Sequence, residues 1–172
     1  MIGLLVTFVT AIAAMDLLTR RIPNALTVSG ALLATGMHFW TSGATGALEG
    51  LAGLLAGLAA FLPFYLAGGF GAGDVKAMGA IGAILGVKGA LLAAAWILIS
   101  GAVAGLIVLM LHGALPSMRA RMRRWAQQVH ATCATGRLQL WEPTAGDIGR
   151  QRFPYGLAIA CGALISVLVN QP

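Results

Sequence analysis

Five acidic residues stand out in this sequence because the chain around them is so apolar. Hydrophobic residues make up 59% of its 172 residues, and charged residues only 9%. Glu142 and Asp147 lie in a polar stretch and Glu49 lies near one end of an apolar run, so water or lipid headgroups can solvate them. Asp16 and Asp74 lie in or beside apolar segments, where a carboxylate is unfavourable by several kcal/mol unless it is paired, hydrated or protonated. These two acids are therefore the candidates for chemistry.

Two carboxyl groups held together can hydrolyse a peptide bond. Carboxyls a few ångströms apart do not both ionise, so one keeps its proton near neutral pH. The ionised group draws a proton from a water molecule between them, while the protonated group donates to the carbonyl oxygen of the substrate. The scheme needs no metal and no cofactor. We expect neither, since the two cysteines form no CxxC pair and the three histidines lack metal-ligand spacing.

A simpler interpretation gives each acid an ordinary ion pair at the end of a span. Asp16 would pair with Arg20 or Arg21. Asp74 would pair with Lys76. Each acid alone fits either interpretation, whereas the two acids together, with the motifs described below, favour the carboxyl pair.

Membrane-spanning helices must position these acids. The mean hydropathy is +0.88, and Leu, Ala, Ile and Val with 24 glycines are typical of helices packed closely in lipid. A span needs about 20 apolar residues. We therefore expect an all-α membrane protein, residues 1–172 forming one domain. The apolar runs predict a bundle of six transmembrane helices at 1–18, 25–40, 47–67, 75–87, 89–111 and 153–169.

The basic residues predict how the bundle is oriented, because they favour the cytoplasmic side of a membrane. With the N-terminus outside, every lysine and arginine except Lys88 falls on an inward segment, including a basic cytoplasmic segment at 112–152. Asp16 and Asp74 then lie at the same depth near the cytoplasmic face, on different spans. The net charge of +6 predicts contact with anionic lipid headgroups and not with nucleic acid.

Two segments admit a second interpretation. The small residues of AIAAM, at 11–15, resemble a signal-peptide cleavage site, but a signal peptide begins with positive charge, whereas here the arginines follow the apolar run. The segment RARMRRWAQQVHATC, at 119–133, fits either an amphipathic helix on the inner leaflet or a solvated linker.

Glycines near Asp74 predict a flexible or open backbone there. In GAGD, Gly71 and Gly73 let the chain bend, approach an extended substrate or open a water path to the carboxyl group. Other glycines have the GxxxG spacing typical of tight helix packing: Gly46/Gly50, Gly53/Gly57, Gly82/Gly86 and Gly101/Gly105. The same faces suit a weak homodimer, and the sequence leaves the oligomeric state open.

Three motifs together resemble the type IV prepilin peptidases, membrane aspartic proteases of the GxGD class. They are Asp16 with RRIPN (20–24), GAGDVK (71–76) and FPYGLAIACGA (153–163). The resemblance covers the chain nearly end to end, with matching order and spacing. It implies that Asp16 and Asp74 are the catalytic pair. The supporting motif residues are Arg21, Pro23, Asn24, Gly71, Gly73, Lys76, Pro154 and Gly156.

The resemblance implies removal of leader peptides from prepilins or pseudopilins at the cytoplasmic face of the bacterial inner membrane. The long members of the family carry two CxxC pairs in an insertion and also methylate the new N-terminus. This sequence has no CxxC, so we expect peptidase activity without methyltransferase activity. It is similar to the short form associated with Flp (tight-adherence) pili.

Two other classes of protein stay open on the residues alone. A proton- or ion-coupled transporter would use Asp16 and Asp74 to bind cations, but it predicts acids near the bilayer midplane and an internal repeat, and the sequence indicates neither. A non-enzymatic assembly protein of a pilus or secretion system predicts that replacing either aspartate by asparagine is tolerated.

Overall fold

The described part of the chain is helical throughout its regular structure. The computed structural model describes residues 1–67, 69–111 and 155–169, together with residues 123, 126, 127 and 130. The helices are α1 (Ile2–Thr19), α2 (Asn24–Leu66), α3 (Ala72–Leu111) and α4 (Tyr155–Val169). Apart from those four single residues, the predicted segment 112–152 lies outside the described residues.

The helices confirm the prediction of an all-helical membrane protein. Among the described residues, α1, α2 and α3 are long and apolar enough to cross a membrane, and α4 is a shorter apolar helix. Large apolar side chains are exposed on all four helices. Lipid tails can solvate such surfaces as well as a protein core does, so this exposure is expected of a bundle in a bilayer.

Two glycines interrupt the long helices α2 and α3. Gly43 has φ 62° and ψ −146°, and Gly86 has φ 71° and ψ −177°. Glycine reaches this region of positive φ without steric strain, whereas residues with a Cβ atom rarely occupy it. Gly43 lies between the predicted spans 25–40 and 47–67, and Gly86 lies near the end of the predicted span 75–87. Helices α2 and α3 each cover two of the predicted segments, because each turn occupies only one non-helical residue.

The chain folds back on itself at both glycines. A Cβ atom on Gly50 would lie 3.4 Å from the Cα of Thr35, and one on Gly82 would lie 3.3 Å from the Cβ of Ala90. Residues 82 and 90 would be about 12 Å apart along a straight helix. The two halves of α2 therefore lie side by side, as do the two halves of α3.

Small residues let α2 and α3 approach closely. A Cβ atom on Gly57 would overlap the carbonyl oxygen of Met78, and one on Gly53 would overlap that of Gly82. This confirms the packing role predicted for these GxxxG glycines. The prediction was wrong for Gly105, because no described atom lies within 4 Å of the position its Cβ would take.

Helix α4 lies between α1 and α3. It packs extensively on α3 and also on α1, which itself makes few contacts with α2 or α3. Its buried face consists mainly of small residues, and Gly162 is so close to α3 that a Cβ there would lie 2.5 Å from the Cα of Ile97. Contact with α4 is therefore the main way in which α1 is held in the bundle.

Candidate active site

Asp16 lies one turn before the end of α1, with its side chain directed at the first turn of α4. It is buried, with 8% of its surface exposed. Its Oδ2 accepts a hydrogen bond of 2.7 Å from the backbone N–H of Gly156. The helix ends at Thr19, and Arg20 takes a left-handed conformation with its N–H bonded to the carbonyl oxygen of Asp16.

Asp74 lies in the first turn of α3 and is partly buried. Its Oδ2 accepts a 3.0 Å hydrogen bond from the backbone N–H of Gly71, and its own N–H donates to the carbonyl oxygen of Gly71 over 3.0 Å. The two bonds close a compact turn. The GAGD segment therefore holds the Asp74 carboxyl group through its own backbone.

The fold brings Asp16 and Asp74 to the same end of the bundle. The turn at Gly43 returns α2 to the end where α1 finishes, so α3 begins there. The segment between α1 and α2 touches GAGD directly, since a Cβ on Gly73 would lie 3.3 Å from the Cβ of Ile22.

The cation nearest to Asp74 in the sequence, Lys76, binds another residue. Lys76 Nζ donates to Asn24 Oδ1 over 2.9 Å, which joins the first turn of α3 to the first residue of α2. Arg20 and Arg21 are exposed. Within the described residues, neither aspartate forms the ion pair of the simpler interpretation, because both accept backbone N–H groups instead.

The supporting motif residues lie around these two acids. Pro23 precedes α2 with φ −64° and ψ 137°, and its carbonyl oxygen accepts from the N–H groups of Leu26 and Thr27. The carbonyl oxygen of Arg21 accepts the hydroxyl of Thr19 over 3.0 Å. Pro154 lies outside the described residues.

Sequence reasoning missed an aromatic cluster beside the site, which consists of Phe61, Phe64, Phe70 and Tyr155. Phe70 is central to it: its ring centroid lies 4.9 Å from that of Phe61, 5.8 Å from that of Phe64 and 5.0 Å from that of Tyr155. The available signal was local, since aromatic residues are only 7% of the chain and three of these four lie between residues 61 and 70.

No metal centre is evident in the part of the chain that the structure describes. There, no three side chains of His, Cys, Asp or Glu converge on one point. The described site offers two carboxyl groups for acid–base chemistry, each bound by a backbone N–H group.

These features define a class, a helical membrane protein with an acidic site at one end of its bundle. The chain belongs to the type IV leader peptidase family, which it matches over residues 3–114. Membership confirms the predicted family and makes the protein a peptidase. The matched range includes Asp16 and Asp74 and ends before α4. No curated protein and no solved structure matches the chain.

Proposed function

We propose that the protein is an aspartic endopeptidase that removes leader peptides from prepilins or pseudopilins. Membership of the type IV leader peptidase family supports the reaction and the class of substrate. The position of Asp16 and Asp74 at the same end of the bundle supports the mechanism, because Gly73, next to Asp74, lies against Ile22 of the segment that follows α1. That shared position is the observation on which the proposal depends.

In the proposed hydrolysis one carboxyl group acts as the base and the other as the acid. One is ionised and takes a proton from a bound water, whose oxygen attacks the carbonyl carbon of the scissile peptide. The other is protonated and donates to the carbonyl oxygen, which gives a neutral tetrahedral diol. The diol collapses as a proton moves to the leaving nitrogen, the C–N bond breaks, and an acid and an amine result.

The backbone hydrogen bonds use one oxygen of each carboxyl group, and the proposed reaction uses the other. Among the described residues, each carboxyl group accepts one backbone N–H at Oδ2, from Gly156 for Asp16 and from Gly71 for Asp74. In the proposed reaction the other oxygen, Oδ1, takes the proton from the water or donates one to the carbonyl oxygen of the peptide. Fixed donors hold the carboxyl groups in place before the substrate arrives, so little reorganisation is needed during the reaction.

Six spans with the N-terminus outside would place this site at the cytoplasmic face of the bacterial inner membrane. Helices α2 and α3 have 43 and 40 residues, about 65 and 60 Å if straight, twice the roughly 30 Å of a hydrocarbon core. The turns at Gly43 and Gly86 support dividing each into two spans. Arg20 and Arg21, just beyond Asp16, suit anionic headgroups at that face.

The proposed activity is peptide hydrolysis alone. The sequence has no CxxC pair, which supports a short form like that of Flp pilus systems, without methyltransferase activity. The substrate's apolar helix would lie in lipid beside the bundle, with its scissile bond near the surface. The exposed apolar side chains of the helices provide a suitable surface.

The decisive experiment mixes purified protein with a prepilin and follows loss of the leader by mass. Asp16→Asn and Asp74→Asn should each abolish cleavage, a loss of at least about 100-fold for removal of an acid or base. Glu49→Gln is the matched control, because this exposed acid lies beside Gly86, about 18 Å along α3 from Asp74. Cleavage by either asparagine variant at the wild-type rate would contradict the proposed pair of catalytic aspartates, whereas no cleavage by the wild type would favour an assembly role.

A further inference from the structure

The first turn of α4 contacts Asp16 and the segment that binds Asp74, although no group of α4 exchanges a proton in the proposed reaction. Gly156 binds Asp16 directly. The preceding residue, Tyr155, packs its ring on Phe70, with centroids 5.0 Å apart at an angle of 62°. Phe70 is followed by Gly71, whose N–H holds Asp74. Two adjacent residues of α4 therefore contact Asp16 itself and the residue that precedes the hydrogen-bond donor of Asp74.

We infer that Gly156 is a positioning residue, whose backbone N–H and missing side chain together determine where the Asp16 carboxyl group lies relative to Asp74. The inference rests on the proposed peptidase function and deepens it by giving α4 a role in the reaction. Gly156 acts through Asp16 and need not touch the substrate.

The N–H of Gly156 is free to bind a carboxyl group because of its place in the helix. The first N–H groups of a helix have no acceptor within it. Here one of them donates to Asp16 Oδ2 over 2.7 Å, between two buried residues. This short bond comes from a donor that the helix holds in place, so it constrains the orientation of the Asp16 side chain.

The lack of a side chain at Gly156 is the second feature that positions Asp16. A Cβ atom there would lie 2.6 Å from the Cβ of Asp16 and 2.9 Å from its Oδ2. Rotation of the carboxyl group would move Oδ2 but not the Cβ atom of Asp16, so α1 and α4 would have to shift apart. Any residue other than glycine at this position therefore displaces Asp16.

The contacts of α1 explain why Gly156 controls the distance between the carboxyl groups of Asp16 and Asp74. Helix α1 makes few contacts with α3, whereas α4 packs on both. The distance between a carboxyl group on α1 and one on α3 therefore depends on α4. Tyr155, on Phe70, and Gly156, on Asp16, are the residues of α4 that lie at the level of the acids.

A test must separate positioning from ordinary packing, and α4 offers a matched control. Gly162 is also buried and crowded, but against Ile97 of α3 and away from Asp16. Gly156→Ala and Gly162→Ala insert the same methyl group into the same helix. Both should lower the temperature of unfolding.

The first measurement is kcat and KM for prepilin cleavage by the wild type and these two variants. Gly156→Ala should lower kcat by about 100-fold, the effect of a misplacement of about 1 Å, with KM changed less than about threefold. Gly162→Ala shifts α4 against α3 without touching Asp16, so its kcat should fall by at least about tenfold less than that of Gly156→Ala. Wild-type kcat in Gly156→Ala, or an equal loss in both variants, would overturn the inference.

A backbone substitution decides the question if Gly156→Ala does not fold. Glycolic acid at position 156 replaces the amide by an ester and removes the N–H, which has no acceptor within the helix. The matched control is the same amide-to-ester change at Leu157, in the same first turn. The ester at 156 should lower kcat by about tenfold more than the ester at 157, the effect of about 1.4 kcal/mol.

The outcomes separate the two proposals. Wild-type protein that leaves prepilin uncut would overturn the peptidase function and the inference with it. Cleavage by the wild type with equal kcat for the two esters would overturn the inference alone.

Discussion

Lys76 Nζ donates to Asn24 Oδ1 over 2.9 Å, and this single bond ties the start of α3 to the start of α2. Both residues are exposed, and they lie 52 positions apart in the chain. Asn24 follows the turn that leaves Asp16, and Lys76 follows Asp74 by one intervening residue. The bond thus joins the two segments that carry the acids.

Loss of this bond should weaken activity more than stability. Lys76→Met and Asn24→Ala should each lower the free energy of unfolding by about 0.5–1 kcal/mol, since the bond is exposed to water. We expect each to lower kcat/KM by about tenfold because the two segments can then separate. The double variant should be no worse than the more impaired single variant, as a double-mutant cycle on cleavage rates would show.

Lys88 is the matched control for Lys76. It is an exposed lysine on the same helix, just beyond the turn at Gly86. Lys88→Met should leave kcat/KM unchanged. Fully additive losses in Lys76→Met and Asn24→Ala would indicate that the bond does not couple the two segments.

The rate of cleavage should fall at both low and high pH. At low pH both carboxyl groups are protonated and no base remains, whereas at high pH both are ionised and no acid remains. The two limbs of the bell-shaped profile of kcat/KM then belong to Asp16 and Asp74 as a pair. A rate that stays constant on the alkaline side until the protein unfolds would show that no protonated carboxyl group takes part.

Glycines at the interface between α2 and α3 should resist enlargement. A Cβ on Gly57 would overlap the carbonyl oxygen of Met78, so Gly57→Ala should lower the free energy of unfolding by about 1–3 kcal/mol. Gly36 is in the same helix with no described atom within 4 Å of its Cβ position, so Gly36→Ala should raise that free energy by about 0.5–1 kcal/mol. Thermal unfolding in detergent would measure both, and equal effects would contradict this account of the packing.

Cysteine labelling can test the proposed orientation. With Cys133 and Cys161 replaced by alanine, Ser42→Cys and Lys88→Cys, which lie beside the two turns, should react with a membrane-impermeant maleimide from the outside. Arg21→Cys should react only after the membrane is opened. The reverse pattern would place the acids at the outer face and contradict cleavage at the cytoplasmic side.

The sequence predicted that Asp16 and Asp74 lie at one end of a helical bundle, and it predicted span ends close to where the long helices turn. Asp16 and Asp74 are conspicuous because an acid in an apolar run has a large energetic cost. The turns at Gly43 and Gly86 fall at or near the ends of predicted spans, because the apolar runs that predict the spans are interrupted close to both glycines. These signals are carried by residue type alone.

The partners of the acids could not be predicted in the same way. The alternative of an ion pair between Asp74 and Lys76 is not found within the described residues, and the actual partner of Lys76 is Asn24, a contact that depends on α2 and α3 starting at the same end. Gly156 was noticed only as part of a motif. A backbone N–H is present at nearly every residue, so its bond to Asp16 has no sequence signature beyond the lack of a side chain.

The order of synthesis gives the position of α4 a further meaning. A ribosome makes Asp16 and Asp74 well before it makes α4, on which α1 packs more extensively than on α2 or α3. The early helices therefore enter the bilayer before the main partner of α1 exists. A nascent chain of this kind lacks the N–H donor of Asp16 until its last described helix has been made.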